Sequence, residues 1–247
     1  MGSQPNVFQH GLRQALFYVR RAARVSDVTI DGVRIQVDYQ RWSPLLIHRV
    51  LADRYEVEER KLIPRVVESG DTVLEIGGGV GLVAMLCARI VGESSVFVYE
   101  ANPAILEAAR ENFRLNGASI AIEHAAVVSN EHTGDDVTFF VSENFWSSSL
   151  LDRGTNQVAI RAPAVRLDTL IQKHRPSVII ADVEGAEYDL LRTADLSCVK
   201  KLCIEFHTRV IGAIRVSELI KTLLARGFVL ELAASIGEVL YFSRPEN

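Results

Sequence analysis

A chain of 247 residues is long enough for one large α/β domain, or for one such domain with a small appendage. Its 48% hydrophobic and 23% charged residues are typical of a soluble globular protein, and a net charge of -4 excludes the strongly basic character of dedicated nucleic-acid binders. No apolar run reaches the length of a membrane span, and the three cysteines form no C-x-x-C pair. We therefore expect a cytoplasmic protein with reduced thiols, no membrane segment and no nucleic-acid partner.

The first 54 residues are predicted to form an N-terminal extension made of a helix and a β-hairpin. Residues 7–25 carry apolar positions at helical spacing and four arginines, so a basic amphipathic helix is expected. It either packs on the domain with its arginines in solvent or contacts a membrane or an acidic substrate. Alternating apolar residues over 28–37 flank Asp31 and Gly32, the dipeptide that type I′ turns favour. We expect this extension to lie beside the ligand site of the main domain as a cap.

The segment over 72–81 reads TVLEIGGGVG and divides into a short apolar strand and a glycine turn. Helical spacing of apolar residues begins directly after it, at Leu82. Such a turn directs backbone N–H groups at a ligand and removes the Cβ atoms that would hinder its approach. The glycines of the turn are Gly77, Gly78, Gly79 and Gly81. This arrangement predicts a cofactor site.

Two acids near the turn indicate which kind of cofactor it holds. Glu75 lies just before the turn, and a carboxylate there suits a cationic amino-acid moiety better than a diphosphate. The dinucleotide fingerprint also requires a glycine where this chain has Leu82, which weighs against a nicotinamide cofactor. A second strand over 96–100 ends in Glu100, 19 positions after the last glycine, close to the offset at which an acid accepts hydrogen bonds from a ribose diol.

The rest of the chain alternates between helices and strands. A helix is expected from Pro103 to about residue 116, and Asp168 is expected to cap a short helix that ends at His174. Further strands are predicted over 120–124, 177–182 and 201–206, then a helix over 216–226 and a hairpin of strands 228–232 and 238–243. This alternation predicts an α/β fold with a doubly wound, mostly parallel seven-stranded sheet. The main domain is expected to span 55–247.

One region, about 137–166, lacks a helical period and is predicted to be an inserted β-ribbon around a loop. The loop over 143–150 reads ENFWSSSL, so serine hydroxyls stand beside two aromatic rings. Such a mixture suits the recognition of a carbohydrate or of another polar natural product. A surface loop with one aromatic anchor explains the same residues, and both interpretations stay open.

In open parallel sheets ligands bind outside the carboxyl ends of the strands, so the residues that end each strand outline the expected site. The fourth strand is followed by DVEGAE over 182–187, and the fifth by Glu205-Phe-His207. Glu184 and Glu187 would favour the dipole of a helix that starts there. Helix capping does not account for Asp182, which ends an otherwise apolar strand.

The order and spacing of these motifs resemble those of the FkbM family of methyltransferases. The shared features are the glycine turn, VRLDTL over 165–170, the D-x-E-G-x-E element over 182–187 and IEFH over 204–207, within about residues 55–207. The family commonly has an Asn in the turn, where this chain has Gly78. The resemblance implies a class I S-adenosylmethionine-dependent methyltransferase that transfers a methyl group to a hydroxyl of a sugar, a small molecule or a secondary metabolite.

The expected contacts to S-adenosylmethionine come from the turn and from the strand ends. They are Glu75, Gly77, Gly78, Gly79, Gly81, Glu100, Ala101, Asn102, Ala125, Ala126 and Asp182. The candidates for removing the proton of the acceptor hydroxyl are Asp182, Glu184 and His207, with Asp182 favoured for positioning or proton acceptance. Alignment of the two bound reactants is expected to supply most of the rate, on the order of 7 kcal/mol or more.

Several alternatives stand beside this hypothesis. A divalent cation among the acids and His207 would lower the pKa of the acceptor, but no pair has a recognisable ligand spacing, so no metal is predicted. A catalytically silent module that holds a partner in a biosynthetic assembly would keep the same fold. A nicotinamide oxidoreductase lacks the third glycine of its fingerprint. Self-association as a homodimer is left open.

Overall fold

The computed structural model describes residues 7–142 and 157–245. Its helices are α1 (Val7–Ala22), α2 (Pro44–Leu51), α3 (Val57–Val66), α4 (Leu82–Val91), α5 (Pro103–Leu115), α6 (Leu167–His174), α7 (Glu187–Arg192) and α8 (Thr208–Ala225). Its strands are β1 (Asp27–Ile30), β2 (Val33–Gln36), β3 (Val73–Ile76), β4 (Val96–Glu100), β5 (Ala121–His124), β6 (Ala126–Val128), β7 (Asp136–Ser142), β8 (Gln157–Arg166), β9 (Val178–Ala181), β10 (Lys201–Glu205), β11 (Val229–Leu230) and β12 (Val239–Ser243). Within these ranges none of the helices combines the length and the apolar character needed to cross a bilayer.

Seven strands form one sheet in the order β11-β12-β10-β9-β3-β4-β5. β10, β9, β3, β4 and β5 run parallel, whereas β12 is antiparallel to both β10 and β11. The predicted α/β fold with a mostly parallel seven-stranded sheet is therefore confirmed. The strand order reverses between β3 and β9, which is where open α/β sheets form a ligand crevice.

β3 and β9 form the centre of the sheet, and all residues of both strands are buried. Val73 and Val178 belong to one hydrophobic cluster together with residues of α3 and α4. Leu74 and Ile179 belong to the cluster on the opposite face, with residues of α6 and α8. Successive side chains of a strand point to opposite faces, so the two helical layers cover both sides of these apolar strands.

The region over 136–166 forms the predicted ribbon in its described part. β7 and β8 pair antiparallel, and β8 continues alongside β6 in parallel. Ala126, Phe139 and Ala162 form a small separate core among these strands. The loop over 143–150, with its serines and aromatic residues, lies outside the described residues.

β1 and β2 form the predicted hairpin, and both turn residues, Asp31 and Gly32, have a positive φ, of 46° and 80°. The hairpin packs on α4 and α5, where the Arg89 guanidinium donates to the carbonyl oxygens of Asp31 at 2.6 Å and Gly32 at 2.7 Å. No residue of the hairpin lines the ligand cavity described below. Among the described residues of the N-terminal extension, Leu46 and Arg49 of α2 line that cavity.

Two helix starts differ from the prediction. Arg166, rather than Asp168, occupies the N-cap position of α6. The Asp168 carboxylate instead accepts a hydrogen bond from the Asp195 N–H at 2.8 Å. α8 begins at Thr208 but is kinked at Gly212, whose φ of 82° is not helical. The predicted helix over 216–226 covers only the part after this kink, because Gly212 breaks the helical period.

Asn112 of α5 is completely buried and joins the hairpin to the glycine turn. Its side-chain oxygen accepts from the Gln36 N–H at 2.8 Å, and its amide donates to the Val80 carbonyl at 2.9 Å. We expect Asn112→Ala to lower the free energy of unfolding by about 2–4 kcal/mol, because it leaves one buried and one part-buried backbone group without this partner. Urea unfolding measures this loss.

Asn116 provides the matched control, since it makes the equivalent pair of hydrogen bonds to the backbone of Arg34 at a part-exposed position one turn later. Water can replace those bonds, so Asn116→Ala is expected to cost about 1 kcal/mol or less. Equal losses for the two variants would contradict the account of Asn112.

Candidate active site

A cavity of about 360 Å³ opens at the carboxyl edge of the sheet, where the strand order reverses. Its volume is within the range of pockets that hold one small ligand. The glycine turn after β3, the ends of β4, β9 and β10, and the start of α3 surround it. The predicted site residues that line the cavity are Gly77, Gly79, Glu100, Ala101, Ala125, Ala126, Asp182, Glu184 and His207.

The predicted residues that lie behind the cavity wall are Glu75, Gly78, Gly81 and Asn102. A Cβ atom on Gly78 would lie 2.3 Å from the Val98 side chain, and one on Gly81 would lie 2.6 Å from the Phe113 ring. These two glycines therefore serve close packing of the turn. The Asn102 side chain caps α5, where its oxygen accepts backbone N–H groups of the first turn.

Glu75 is not among the residues that line the cavity, and its predicted contact with the ligand stays a prediction. The residue is only 2% exposed, and one of its carboxylate oxygens has no hydrogen-bond partner among the described residues. Burial, followed by the charges of Glu56, Glu100 and Glu59, raises the pKa of Glu75 well above its ordinary value. When ionised, Glu75 adds negative potential next to the glycine turn.

The glycine turn is held tightly against the end of β9. Gly77 has a φ of 85°, and its N–H donates to the Tyr99 carbonyl at 2.9 Å. A Cβ atom on Gly77 would lie 1.9 Å from the backbone carbonyl oxygen of Asp182. Only glycine permits this approach, which fixes Asp182 beside the turn.

Glu100 ends β4 inside the cavity. Its carboxylate accepts the Gly79 N–H at 3.2 Å and the Asn102 N–H at 2.7 Å. Burial raises the pKa of Glu100 to about 7, although these backbone hydrogen bonds act in the opposite direction. Glu100 lines the cavity, so its carboxylate is placed to accept a hydrogen bond from a hydroxyl group of a ligand.

An apolar wall closes the end of the cavity beyond Glu100. It consists of Ile105, Val127 and Phe139 together with the small residues Ala125 and Ala126. The first three were missed by the sequence analysis because an apolar side chain gives no chemical signal of its own. A flat apolar surface beside an acid that can hold a ribose fits the base of a nucleoside.

The opposite end of the cavity is acidic, and the residues that the start of α3 adds to it were also missed. They are Tyr55, Glu56, Glu58 and Glu59. The Tyr55 hydroxyl oxygen accepts the Val80 N–H at 3.1 Å, so this segment is joined to the glycine turn. Their only signal in the sequence was a run of acids at the start of a helix. Such runs are common because acids there interact favourably with the helix dipole, so this one did not indicate a site.

The carboxyl groups at this end repel one another. Burial raises the pKa of Glu56 to about 8 and that of Glu59 to about 7, and neighbouring acids add to both effects. Burial, then Glu205 and Glu184, raises the pKa of Asp182 well above its ordinary value. A cation placed among such groups relieves their repulsion, so this end of the cavity fits an ammonium or sulfonium group.

We expect the ligand-free protein to lose stability as the pH rises from about 6 to about 8. Carboxyl groups whose pKa is raised by folding bind protons more tightly in the folded protein than in the unfolded chain. Their contribution to the free energy of unfolding is therefore lost as the pH rises through the folded pKa, which is about 8 for Glu56. Scanning calorimetry should show the Tm falling by several degrees. Glu56→Gln should flatten this dependence, and a Tm that rises over the same range would contradict the raised pKa values.

His207 lies at the centre of the acidic group. Its Nδ1 is 2.6 Å from Glu187 Oε1, whereas its Nε2 is 3.5 Å from Glu184 Oε2 and 3.6 Å from Asp182 Oδ1. Burial alone would lower the pKa of His207, but the hydrogen bond with Glu187 and the charges of the surrounding acids, Glu205 included, raise it above its ordinary value. The three predicted catalytic candidates are therefore brought together.

The same corner of the cavity has donor atoms spaced closely enough for a divalent cation. Single donor atoms of Asp182, Glu205 and His207 lie within 4.8 Å of one another. The sequence analysis found no recognisable ligand spacing because β9 and β10 bring these residues together from separate segments. The predicted absence of a metal stays a prediction.

Comparison with known proteins gives one extensive match and several partial ones. Ribosomal protein L11 methyltransferase of Bacillus cereus (strain ATCC 10987 / NRS 248) is 36% identical over 56 residues, which cover 23% of this chain and only 18% of that relative. The solved ribosomal protein L11 methylase of Lactobacillus delbrueckii subsp. bulgaricus is 18% identical with a TM-score of 0.43, over 76% of this chain and 77% of that one. The solved tRNA m1G37 methyltransferase of M. jannaschii is 14% identical with a TM-score of 0.45, and the match covers 90% of this chain and 57% of that one.

The family model of the methyltransferase FkbM domain matches residues 75–230, more than half of the chain. The matched range begins at Glu75 and includes the glycine turn, the ribbon and the D-x-E-G-x-E element after β9. The chain therefore belongs to the FkbM family of methyltransferase domains.

Proposed function

We propose that this protein uses S-adenosylmethionine to methylate a hydroxyl group of a small-molecule, sugar or secondary-metabolite acceptor. The observation that carries the proposal is that His207, the glycine turn, Glu100 and an apolar wall all line one cavity. Membership of the FkbM family supports methyl transfer.

The residues that line the cavity fit both the nucleoside end and the amino-acid end of S-adenosylmethionine. Glu100 would hold the ribose hydroxyls, and the wall that includes Val127 and Phe139 would contact the adenine. Glu56 has a buried carboxylate oxygen without a hydrogen-bond partner among the described residues, which suits the ammonium group. When bound, the cofactor supplies a methyl group on a positively charged sulfur.

Proton removal is assigned to His207. Its Nε2 accepts the hydroxyl proton as the new carbon–oxygen bond forms, and the bonding pair of the broken carbon–sulfur bond stays on sulfur. Asp182 and Glu184, which flank Nε2, orient the hydroxyl and stabilise the imidazolium that results. Asp182 is thus proposed as a positioning group, and His207 as the base.

Transfer of radiolabelled methyl groups from S-adenosylmethionine to compounds in a deproteinised cell extract tests this function. Label is expected in a small molecule as a methyl ether, and His207→Gln should reduce transfer by about 100-fold or more. Bound S-adenosylhomocysteine without transfer to any acceptor would instead favour the silent interaction module. Label found in RNA would contradict the expectation of an acceptor other than nucleic acid.

An amine acceptor is the second candidate, and the acidic lining favours it. Glu58, Glu59 and Glu205 face the cavity in addition to the acids proposed to serve the cofactor and the base. Carboxylates in this number would attract an acceptor that is itself cationic. Chemical analysis of the labelled product separates the candidates, because an N-methyl group survives ether cleavage and a methyl ether does not.

A further inference from the structure

One buried acid has no part in the reaction as described so far. Glu187 begins α7 and is completely buried. A single oxygen, Oε1, accepts the Gly185 N–H at 2.8 Å and lies 2.6 Å from His207 Nδ1. Burying a carboxylate is costly unless it is paired and hydrogen-bonded, and His207 is the only titratable partner within bonding distance among the described contacts.

This contact determines which nitrogen of His207 carries the proton. A carboxylate oxygen without a proton can only accept, so at 2.6 Å a charge-assisted hydrogen bond has Nδ1 donating to Glu187 Oε1. In the neutral imidazole Nε2 then has the free lone pair. Nε2 is also the nitrogen on the side of Asp182 and Glu184, where the acceptor hydroxyl would lie.

We propose that Glu187 is a positioning residue for the base: it fixes the ring of His207 with Nδ1 protonated, so that Nε2 stands ready to accept a proton from the substrate. This inference rests on the proposed function. Glu187 touches neither cofactor nor acceptor and acts only through the imidazole, as carboxylates do behind functional histidines in other sites. The Gly185 N–H donates to the same oxygen and so holds the Glu187 carboxylate in position against the ring.

A merely structural role for Glu187 leads to a different expectation. An acid that only satisfies the Gly185 N–H at the start of α7 would leave the ring of His207 free to carry its proton on either nitrogen. The two roles are therefore distinguished by which ring nitrogen of His207 carries the proton. A measurement of protein stability alone would not distinguish them.

Nuclear magnetic resonance of protein with nitrogen-labelled histidine reads this state directly. The sample is the full chain saturated with S-adenosylhomocysteine, at alkaline pH where the ring is neutral, with EDTA to remove cations. Signals are assigned by their loss in His207→Gln. We expect the Nδ1–H form to exceed the Nε2–H form by about tenfold or more in the wild type, because its hydrogen bond is charge-assisted.

Glu187→Gln keeps a side-chain oxygen but removes its charge, and it should reduce that preference by about tenfold. Glu184→Gln is the matched control, because Glu184 lies on the Nε2 side, and it should leave Nδ1–H dominant. A wild type with Nε2–H dominant, or an unchanged preference in Glu187→Gln, would overturn the proposal. Should Glu187→Gln fail to fold, the wild-type spectrum decides alone.

Failure of this inference is distinguishable from failure of the proposed function. If S-adenosylhomocysteine does not bind, the proposed function fails whatever the form of the imidazole. If it binds and His207 carries its proton on Nε2, only the role of Glu187 is lost.

Discussion

Replacing Gly77 with alanine is expected to lower the free energy of unfolding by about 3 kcal/mol or more and to weaken binding of S-adenosylhomocysteine by about 100-fold or more. The added Cβ would lie 1.9 Å from the Asp182 carbonyl oxygen, which belongs to the backbone and cannot rotate away. Either the glycine turn or the end of β9 must shift, and both are walls of the cavity. Urea unfolding and titration calorimetry measure the two effects.

Gly92→Ala separates this steric effect from the cost of a positive φ. Gly92 has a φ of 86°, against 85° for Gly77, but a Cβ atom there would meet nothing within 4 Å. With a ψ of 150° its backbone lies in a region that is essentially restricted to glycine, so its substitution should cost about 1–3 kcal/mol and leave ligand affinity unchanged. Similar losses in the two variants would show that the contact with Asp182 is unimportant.

Glu100→Ala is expected to weaken binding of S-adenosylhomocysteine by about 10- to 100-fold. The substitution removes the proposed acceptor of the ribose hydroxyls, and hydrogen bonds to a charged group contribute about 1.5–3 kcal/mol each. It also leaves the N–H groups of Gly79 and Asn102 without this partner, which loosens the turn. Calorimetric titration of the folded variant gives the change in Kd.

Glu107→Ala is the control for charge alone. Glu107 is an exposed acid on α5 that pairs with Arg110 at 2.6 Å and does not line the cavity. Its loss changes the net charge by the same amount as Glu100→Ala and should leave Kd unchanged. If Glu100→Ala also left Kd unchanged, the ribose would have to bind elsewhere.

Local sequence signals were sufficient for the architecture. The apolar strand, the glycine turn and the helix from Leu82 follow one another without a gap, so the sequence could place the crevice at Gly77. Asp31-Gly32 predicted the turn of the hairpin from two residues, because few other dipeptides adopt a positive φ at both positions. Such features depend on neighbours along the chain and need no knowledge of tertiary packing.

Features created by tertiary packing could not be predicted in the same way. The contact between Glu187 and His207 depends on the parallel pairing of β9 with β10, which no local pattern specifies. The acids at the start of α3 reach the cavity only because Tyr55 bonds to the glycine turn. Glu75 lies just before the turn in the sequence, but the depth at which packing buries it, to 2% exposure, could not be predicted from its neighbours along the chain.

The central claim is that the glycine turn, Glu100 and the acidic edge of the sheet together bind one sulfonium nucleoside. Calorimetric titration of the purified protein with S-adenosylmethionine, S-adenosylhomocysteine and NAD tests this claim most directly. We expect one-to-one binding of the two sulfur-containing ligands and no heat with NAD. Binding of NAD, with no response to either sulfur-containing ligand, would contradict the account.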